Sequence, residues 1–590
     1  MTTTSRQDDG QTSQPDTRPV RQHAAPGTPR DWLKSPAVQG LLAFVIYLAA
    51  WLPTGVRSLV HHVTSAQVLQ NNPDPNFYVW CLRWWPYAIG HGLNPLYTSQ
   101  IAAPAGHSLA WVTTVPPLGL LAFPLTQITS PVVSYNLLAA IALPLAGWAA
   151  FVLCRRLTGK FWPALTGGAV FGFSAYEMYH SSFGQLNLTF SLLLPILAYL
   201  VLLWRDEAIS ARTFAVLAGI TMAVQFYLFL ETFADMTAIL AVALVVGIAL
   251  AGPSGRPAML RLTKVTAGAY VIALVLAAPY LAYALTNTPP KPLRNTGLDL
   301  ASLVLPRPGR TFGIAWLTHA AAGPAPISMA DYVGVPLLVL ALLLALTGWS
   351  SKLIRFLSCM LVFVVVASIG PVIHVDGHRV AAVPWARLFD LPIVRSSYPS
   401  RLMLFAYLAL AVATALWLAR PATWSWARWT LALLVIAAIA VNAHPVVVKA
   451  HTTVPSFIST GQYRRNLSPG EIVVVVSNIR DASMLWQAQS DFYMRIAGGF
   501  INEGYNRHRN DLPAQVQALH KPTPANVAGF EAYVKANKIG AVLVDAAHEP
   551  QWAGIFGRIG LAGHRAGEVM IYNINGCNSC RALDSAQLGN

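Results

Sequence analysis

Polar side chains able to do chemistry are few in this 590-residue chain, and they gather between apolar runs. The richest stretch is 71–111, NNPDPNFYVWCLRWWPYAIGHGLNPLYTSQIAAPAGHSLAW. Its Asp74 could act as a general base, since a carboxylate within hydrogen-bond reach can take the proton of an attacking hydroxyl. The pair Asp74-Pro75 also suits the N-cap and first position of a helix, and the two roles are compatible. Arg395 and Arg401 flank Tyr398-Pro399, where guanidinium forks suit a phosphate better than an ammonium does. The competing reading is a pair of interfacial arginines reaching for lipid headgroups. Glu177, His180, Gln185 and Asn187 could line an acceptor groove. Glu231 and Asp235 lie one helical turn apart near a membrane boundary, where carboxylates are expensive unless they face a cavity. His91 and His107 are either hydrogen-bonded turn residues or proton carriers, and helix capping accounts for Asp331. There is no Walker loop, GxSxG, HExxH or dinucleotide fingerprint, so any reaction must be built from these segments.

The elements that position them belong to a membrane protein. Hydrophobic residues make up 55% of the chain and charged residues 11%, against about 25% charged in soluble proteins. The net charge of +16 is not a nucleic-acid signature. Residues 1–36 hold 5 basic and 4 acidic side chains, 451–590 hold 12 and 10, and 37–450 hold 23 and 10. The excess therefore lies in the hydrophobic body, as expected where Lys and Arg collect in cytoplasmic loops.

Apolar runs near 37–55, 131–153, 161–176, 187–204, 213–230, 233–252, 265–285, 332–349, 353–372, 401–419 and 429–448 predict about eleven transmembrane helices, each needing roughly 20 residues. Residues 115–128, short and with three prolines, are expected to form a half-inserted interfacial helix. Excluding that stretch places Arg155, Arg156, Lys160, Arg205, Arg212, Arg256, Arg261, Lys264, Lys352, Arg355, Arg420 and Arg428 in inward loops, against only Asp206 and Glu207. The N-terminus is then cytoplasmic, with residues 1–36 a disordered tail. The first loop (56–130) and residues 451–590 are extracytoplasmic, so the chain is expected to be a multi-pass protein of the cytoplasmic (inner) membrane. Strand-like 471–476, 540–546 and 569–574 alternate with helix-like 530–538 and 551–560, which predicts a small C-terminal α/β domain over 451–590. From Asn76 to Ile89 the loop reads as an amphipathic helix whose Trp80, Trp84, Trp85 and Tyr87 suit the headgroup layer. Cys81, Cys154 and Cys359 read as packed side chains. For Cys577 and Cys580, an extracytoplasmic tail favours a local disulfide over zinc.

Several motifs together resemble the GT-C superfamily of integral membrane glycosyltransferases. A helix is followed by an Asp-started interfacial helix with Tyr78 four residues on, a Pro116-Pro117-Leu118 half-helix, and a helix ending in CRRLTGK. The resemblance continues through GFSAYEMYHSSFGQLNL (172–188), LDLASLVLPRPG (298–309), ADYVGVPLL (330–338) and LPIVRSSYPSRLMLF (391–405), a set similar to uncharacterised bacterial membrane proteins of this architecture. It covers most of 37–450 and implies a GT-C-like body that transfers sugar from a polyprenyl-phosphate donor to a cell-envelope glycan, lipid or protein acceptor. It implies Asp74 as base in an inverting transfer, Arg395 and Arg401 on the donor phosphate, and no cofactor beyond the lipid-linked substrate. Tyr78, His91, His107, His180, Gln185, Glu231 and Asp235 are the expected substrate-groove candidates. Many relatives pair the first-loop Asp with an adjacent acidic residue; Pro75 stands there here, which argues against a metal at an acidic pair. The alternatives are a transporter or flippase of envelope lipid-linked precursors, or a non-catalytic scaffold whose C-terminal domain binds glycans. Polar groups crowded into outer loops, rather than at a membrane midplane, favour surface chemistry.

Overall fold

The computed structural model describes residues 35–53, 74–287, 297–305, 330–391, 397–421, 423–441, 454–477, 482–499, 512–547 and 549–574, with a few short pieces besides. Residues 3–34 of the N-terminal tail, Arg395, and the segment holding Cys577 and Cys580 lie outside the described residues.

Among the described residues the body contains thirteen helices: α1 (Pro36–Trp51), α2 (Asp74–Gly90), α3 (Pro116–Ile128), α4 (Pro131–Thr158), α5 (Phe161–Gly172), α6 (Ala175–Ser182), α7 (Leu186–Arg205), α8 (Ala211–Leu228), α9 (Leu230–Leu285), α10 (Val335–Gly348), α11 (Lys352–Ser368), α12 (Met403–Ala419) and α13 (Ser425–Val441). Helix lies within each of the eleven apolar runs. Among the described residues, five helices (α4, α7, α8, α9 and α12 with its leading turn) are long and apolar enough to cross a membrane, and three shorter apolar ones accompany them. The chain is thus a polytopic helical membrane protein.

Local chemistry sets the boundaries. Ser130 accepts from Val133 N at 3.3 Å and Pro131 opens α4, which ends at Gly159 in a left-handed conformation (φ 67°); a missing N–H costs nothing at a helix start, and glycine meets no Cβ penalty at its end. The runs 233–252 and 265–285 fall in one helical segment, α9, broken at Gly252 (φ 71°, ψ 176°). In α3, Leu118 and Ala122 face inward while Leu121 and Ile128 are 71% and 81% exposed, a one-sided helix suited to an apolar boundary.

Helices α4 and α12 form the centre, with 72% of their most apolar windows buried, against 6% for α9. Close packing there depends on small residues: a Cβ on Gly172 would come within 2.5 Å of the Gly147 backbone in α4, and such contacts let helices approach where lipid supplies no hydrophobic drive. Because the helices alternate in direction, their ends sort into two groups. At one end Arg156 pairs with Asp206 at 2.8 Å, Lys160 reaches Ala419 O at 2.7 Å, and Lys352 reaches Ala251 O at 2.6 Å. Exposed Trp162, Trp349, Trp424 and Trp426 ring this basic end, as interfacial tryptophans do. The opposite end carries α2, α3, α6 and the start of α9 and α12.

The C-terminal region holds a sheet of β1 (Ile472–Val476), β2 (Arg495–Ile496), β3 (Ile539–Asp545), β4 (His564–Ala566) and β5 (Val569–Asn573) in the order β4-β5-β3-β1-β2. Strand β1 runs parallel to β2 and β3, and β5 pairs antiparallel with both β3 and β4. Helices α14 (Ala482–Gln489), α15 (Pro524–Asn537) and α16 (Gln551–Arg558) accompany the sheet. The first loop covers the β2 edge: Ile496 N donates to Gln100 O at 2.8 Å and Ala103 N to Ile496 O at 3.0 Å, satisfying groups an open edge leaves unpaired.

One expectation is corrected here. The tryptophans of α2 do not face headgroups: Trp80, Trp84 and Trp85 are 0%, 1% and 9% exposed. Trp80 and Trp84 pack on Phe492 at 5.7 and 5.6 Å between ring centroids, and Arg83 pairs with Asp491 at 2.7 Å. The fully buried Gln487 accepts from Trp80 Nε1 at 2.7 Å and donates to Gln100 O at 2.7 Å and Met494 O at 2.9 Å. Local amphipathicity cannot distinguish lipid from a protein partner some 400 residues away. Gln487→Leu would leave two buried groups, Trp80 Nε1 and Met494 O, without this partner, each at a cost of ~1–3 kcal/mol, whereas Gln100 O keeps its bond from Ile496 N. The expected outcome is an earlier calorimetric transition for the C-terminal region; an unshifted thermogram would remove Gln487 as the lock.

Candidate active site

At the end opposite the basic loops, α2 delivers Asp74 half-buried at its first turn. Gln185, in the turn between α6 and α7, donates Nε2 to Asp74 Oδ2 at 2.7 Å. Its Oε1 must then accept, and it faces His180 Nδ1 at 2.6 Å, so the network assigns the His180 proton to Nδ1. Two further bonds tie the same turn down: Tyr78 Oη donates to Asn187 Oδ1 at 2.5 Å and Tyr135 Oη to Gly184 O at 2.9 Å. The Tyr78 phenol is held well above its usual pKa by burial and then by the Asp74 charge, while Arg401 opposes the shift. The charges of Asp74 and Arg401 both reach this phenol, with opposite effect.

Arg401 lies in the 3-10 turn Pro399–Leu402 that leads into α12. Its guanidinium pairs with Glu231, and lies 4.4 Å from the Tyr398 ring centroid and 5.2 Å from that of Phe229, both within cation–π range. Glu231 also accepts from Tyr398 N at 2.6 Å. The extended Phe229 (φ −161°, ψ 112°) separates α8 from α9 and puts Glu231 in the first turn of α9, where a carboxylate complements the helix dipole. Asp235 follows one turn later on the same side.

Helix α6 supplies the third wall. Ser174 caps it by accepting from Glu177 N at 3.3 Å. Glu177 is fully buried and accepts from the Ser191 hydroxyl through Oε1. Burial pushes its carboxyl well above the usual range, the Ser191 bond opposing, which favours the protonated form. His180 is pushed down to about 3 by burial and then by the Arg401 charge. The imidazole is neutral at physiological pH and cannot add to the Arg401 charge.

The structure thus brings together Asp74, Tyr78, His180, Gln185, Glu231, Asp235 and Arg401. It leaves two candidates outside. His91 is exposed beyond α2, stacked on Tyr87 at 4.1 Å with Nδ1 at 2.8 Å from Tyr87 O. His107 pairs with Thr98 in a two-residue strand, and burial lowers its pKa. Tyr176, Ser191 and Tyr135 belong to the site but were not singled out by sequence. Tyr176 could have been found from its i,i+4 spacing to His180, whereas Ser191 has no such signal. Among the described residues no three His, Cys, Asp or Glu side chains converge as a metal site.

Solved structures share this arrangement of helices. The arabinofuranosyltransferase AftD from Mycobacteria superposes with a TM-score of 0.58 at 13% identity, over 92% of this chain and 40% of that one. A mutant of that enzyme gives 0.51 at 12%, over 92% and 41%. ArnT from Cupriavidus metallidurans, bound to undecaprenyl phosphate, gives 0.48 at 13%, over 92% and 98%. The chain spans less than half the length of AftD, and at such identity the likeness concerns the fold alone: this is a GT-C-like fold. No curated protein matches the chain. Residues 42–442 match the model of DUF6311, described as a domain of unknown function, and the chain belongs to that family.

Proposed function

We propose that this protein transfers a sugar from a polyprenyl-phosphate-linked donor to a cell-envelope glycan, lipid or protein acceptor at the outer face of the cytoplasmic membrane. The observation that carries the reading is the hydrogen-bonded chain from Asp74 through Gln185 to His180, with the Arg401 charge reaching both His180 and the Tyr78 phenol. A base and a fixed cation in one site match the two ends of a displacement at an anomeric carbon. The clustering of basic side chains at the other end supports an extracytoplasmic site, and a mycobacterial arabinofuranosyltransferase of the same fold supports the reaction class.

In the proposed step the acceptor hydroxyl oxygen bonds to the anomeric carbon while the bond from that carbon to the phosphate oxygen breaks. The hydroxyl proton passes to Asp74, and the bonding pair leaves with polyprenyl phosphate. Gln185 orients Asp74 without competing for its proton, because an amide N–H only donates. Arg401 offers the leaving phosphate the guanidinium hydrogens that Glu231 does not occupy, and fixed positive charge there lowers the barrier. Arg395 belongs to the same proposal as a second phosphate ligand. His91 and His107 have no part in it.

The test uses the full chain in lipid nanodiscs, offered radiolabelled undecaprenyl-phosphoryl sugars, pentoses and hexoses, with envelope extract as acceptor. Label appearing in the acceptor supports the assignment. Label remaining in the donor lipid across the whole panel overturns it and favours a transporter or scaffold.

A further inference from the structure

Three polar atoms on α6 have no hydrogen-bond partner among the described residues although they are buried: Tyr176 Oη, Glu177 Oε2 and His180 Nε2. Their residues are 1%, 0% and 5% exposed. His180 stands one helical turn from both Tyr176 (i, i+4) and Glu177 (i, i+3), and the Tyr176 and His180 rings meet with centroids 4.4 Å apart. A buried polar atom without a partner is destabilising, so three in one patch call for an explanation. Packing does not supply one, because phenylalanine or leucine would fill the same space without loss.

The hydrogen-bonding character of the three atoms follows from their surroundings. The chain from Asp74 through Gln185 places the His180 proton on Nδ1, leaving Nε2 as a lone-pair acceptor. Ser191 occupies Glu177 Oε1, so in the protonated form that burial favours, the proton lies on Oε2, a donor. The Tyr176 hydroxyl can do either. One acceptor, one donor and one group of both kinds match vicinal hydroxyls, each of which donates and accepts. They match neither a carboxylate nor an ammonium, which would leave one member of the set unpaired. The charges of Arg401, Glu231 and Asp235 reach the Tyr176 phenol, and hydrogen bonds join His180 to Asp74 through Gln185, which ties the patch to the proposed site.

We propose that Tyr176, Glu177 and His180 recognise the hydroxyl groups of a neutral sugar carried on the phosphate that Arg401 holds. The inference rests on the transfer reading above and narrows its donor to uncharged pentoses or hexoses. His180 links this recognition to Asp74 through Gln185, so an occupied sugar site also steadies the base.

Binding to the full chain in nanodiscs tests it, with undecaprenyl phosphate compared against its neutral pentosyl, neutral hexosyl and uronosyl diesters. In the wild type at least one neutral diester is expected to bind about tenfold tighter than undecaprenyl phosphate, the scale of two or three neutral hydrogen bonds. Tyr176→Phe should cut that advantage about fivefold, leave the affinity for undecaprenyl phosphate unchanged, and not lower Tm, since the lost hydroxyl has no partner in the protein. Glu177→Gln should keep most of the advantage, because an amide also donates and accepts. The inference is overturned if no neutral sugar adds affinity, if the uronosyl lipid binds best, or if Tyr176→Phe leaves the advantage intact. Failure to bind undecaprenyl phosphate at all would be a different result, removing the donor reading together with the inference.

Discussion

Asp74→Asn is expected to lower sugar transfer by a factor of about 10²–10⁴, the usual contribution of a positioned general base, while the fold survives. The amide oxygen of asparagine can still accept from Gln185 Nε2, which meets Asp74 at 2.7 Å, so the contact between α2 and the turn after α6 is kept. What is lost is the capacity to take a proton. Donor affinity should change little, because the phosphate is assigned to Arg401 and not to Asp74. The decisive measurement is the initial rate of label transfer at saturating donor, alongside Tm and undecaprenyl phosphate binding. A slow variant with unchanged Tm and binding assigns Asp74 to chemistry. A variant that transfers at the wild-type rate reduces Asp74 to the start of a helix and passes the search to Asp235, the remaining carboxylate near Arg401.

The same residue shows how far the sequence carried the reading. Asp74, Tyr78 and the aromatic run after them were legible as a helix start because the signals are local: Asp-Pro, then apolar side chains at helical spacing. Positive charge at loops was legible for the same reason, and the resemblance to GT-C enzymes holds at the level of the fold. The partners were not legible. Gln185 lies 111 positions from Asp74, Gln487 lies 407 from Trp80 and Glu231 lies 170 from Arg401, and no periodicity encodes such pairings. Trp80 and Trp84 were misplaced in the headgroup layer because an apolar stripe announces burial without saying what covers it. Glu231 and Arg401 were each read alone, one as a costly carboxylate and the other as a phosphate ligand. Their pairing gives each an explanation without the other's proposed task.

That pairing sets up the second large effect, in which stability and ligand binding should separate. Arg401 and Glu231 have side chains only 19% and 13% exposed, so removing one partner leaves the other charged and poorly solvated. Arg401→Met and Glu231→Gln are each expected to destabilise the protein by about 3 kcal/mol or more, whereas the double variant should recover much of that loss, because breaking a buried ion pair from one side costs more than replacing both members. The coupling in the double-mutant cycle isolates the interaction. Phosphate binding should follow another order. Arg401→Met removes the guanidinium and should abolish undecaprenyl phosphate binding, and the double variant should not restore it. Glu231→Gln frees the guanidinium hydrogens that the carboxylate occupies and removes a negative charge from beside the incoming phosphate, so that variant should bind undecaprenyl phosphate more tightly than the wild type while being less stable. If Glu231→Gln instead weakens binding in step with Tm, the two residues form a purely structural pair, and the phosphate must be held by another cation, with Arg395 the first to test.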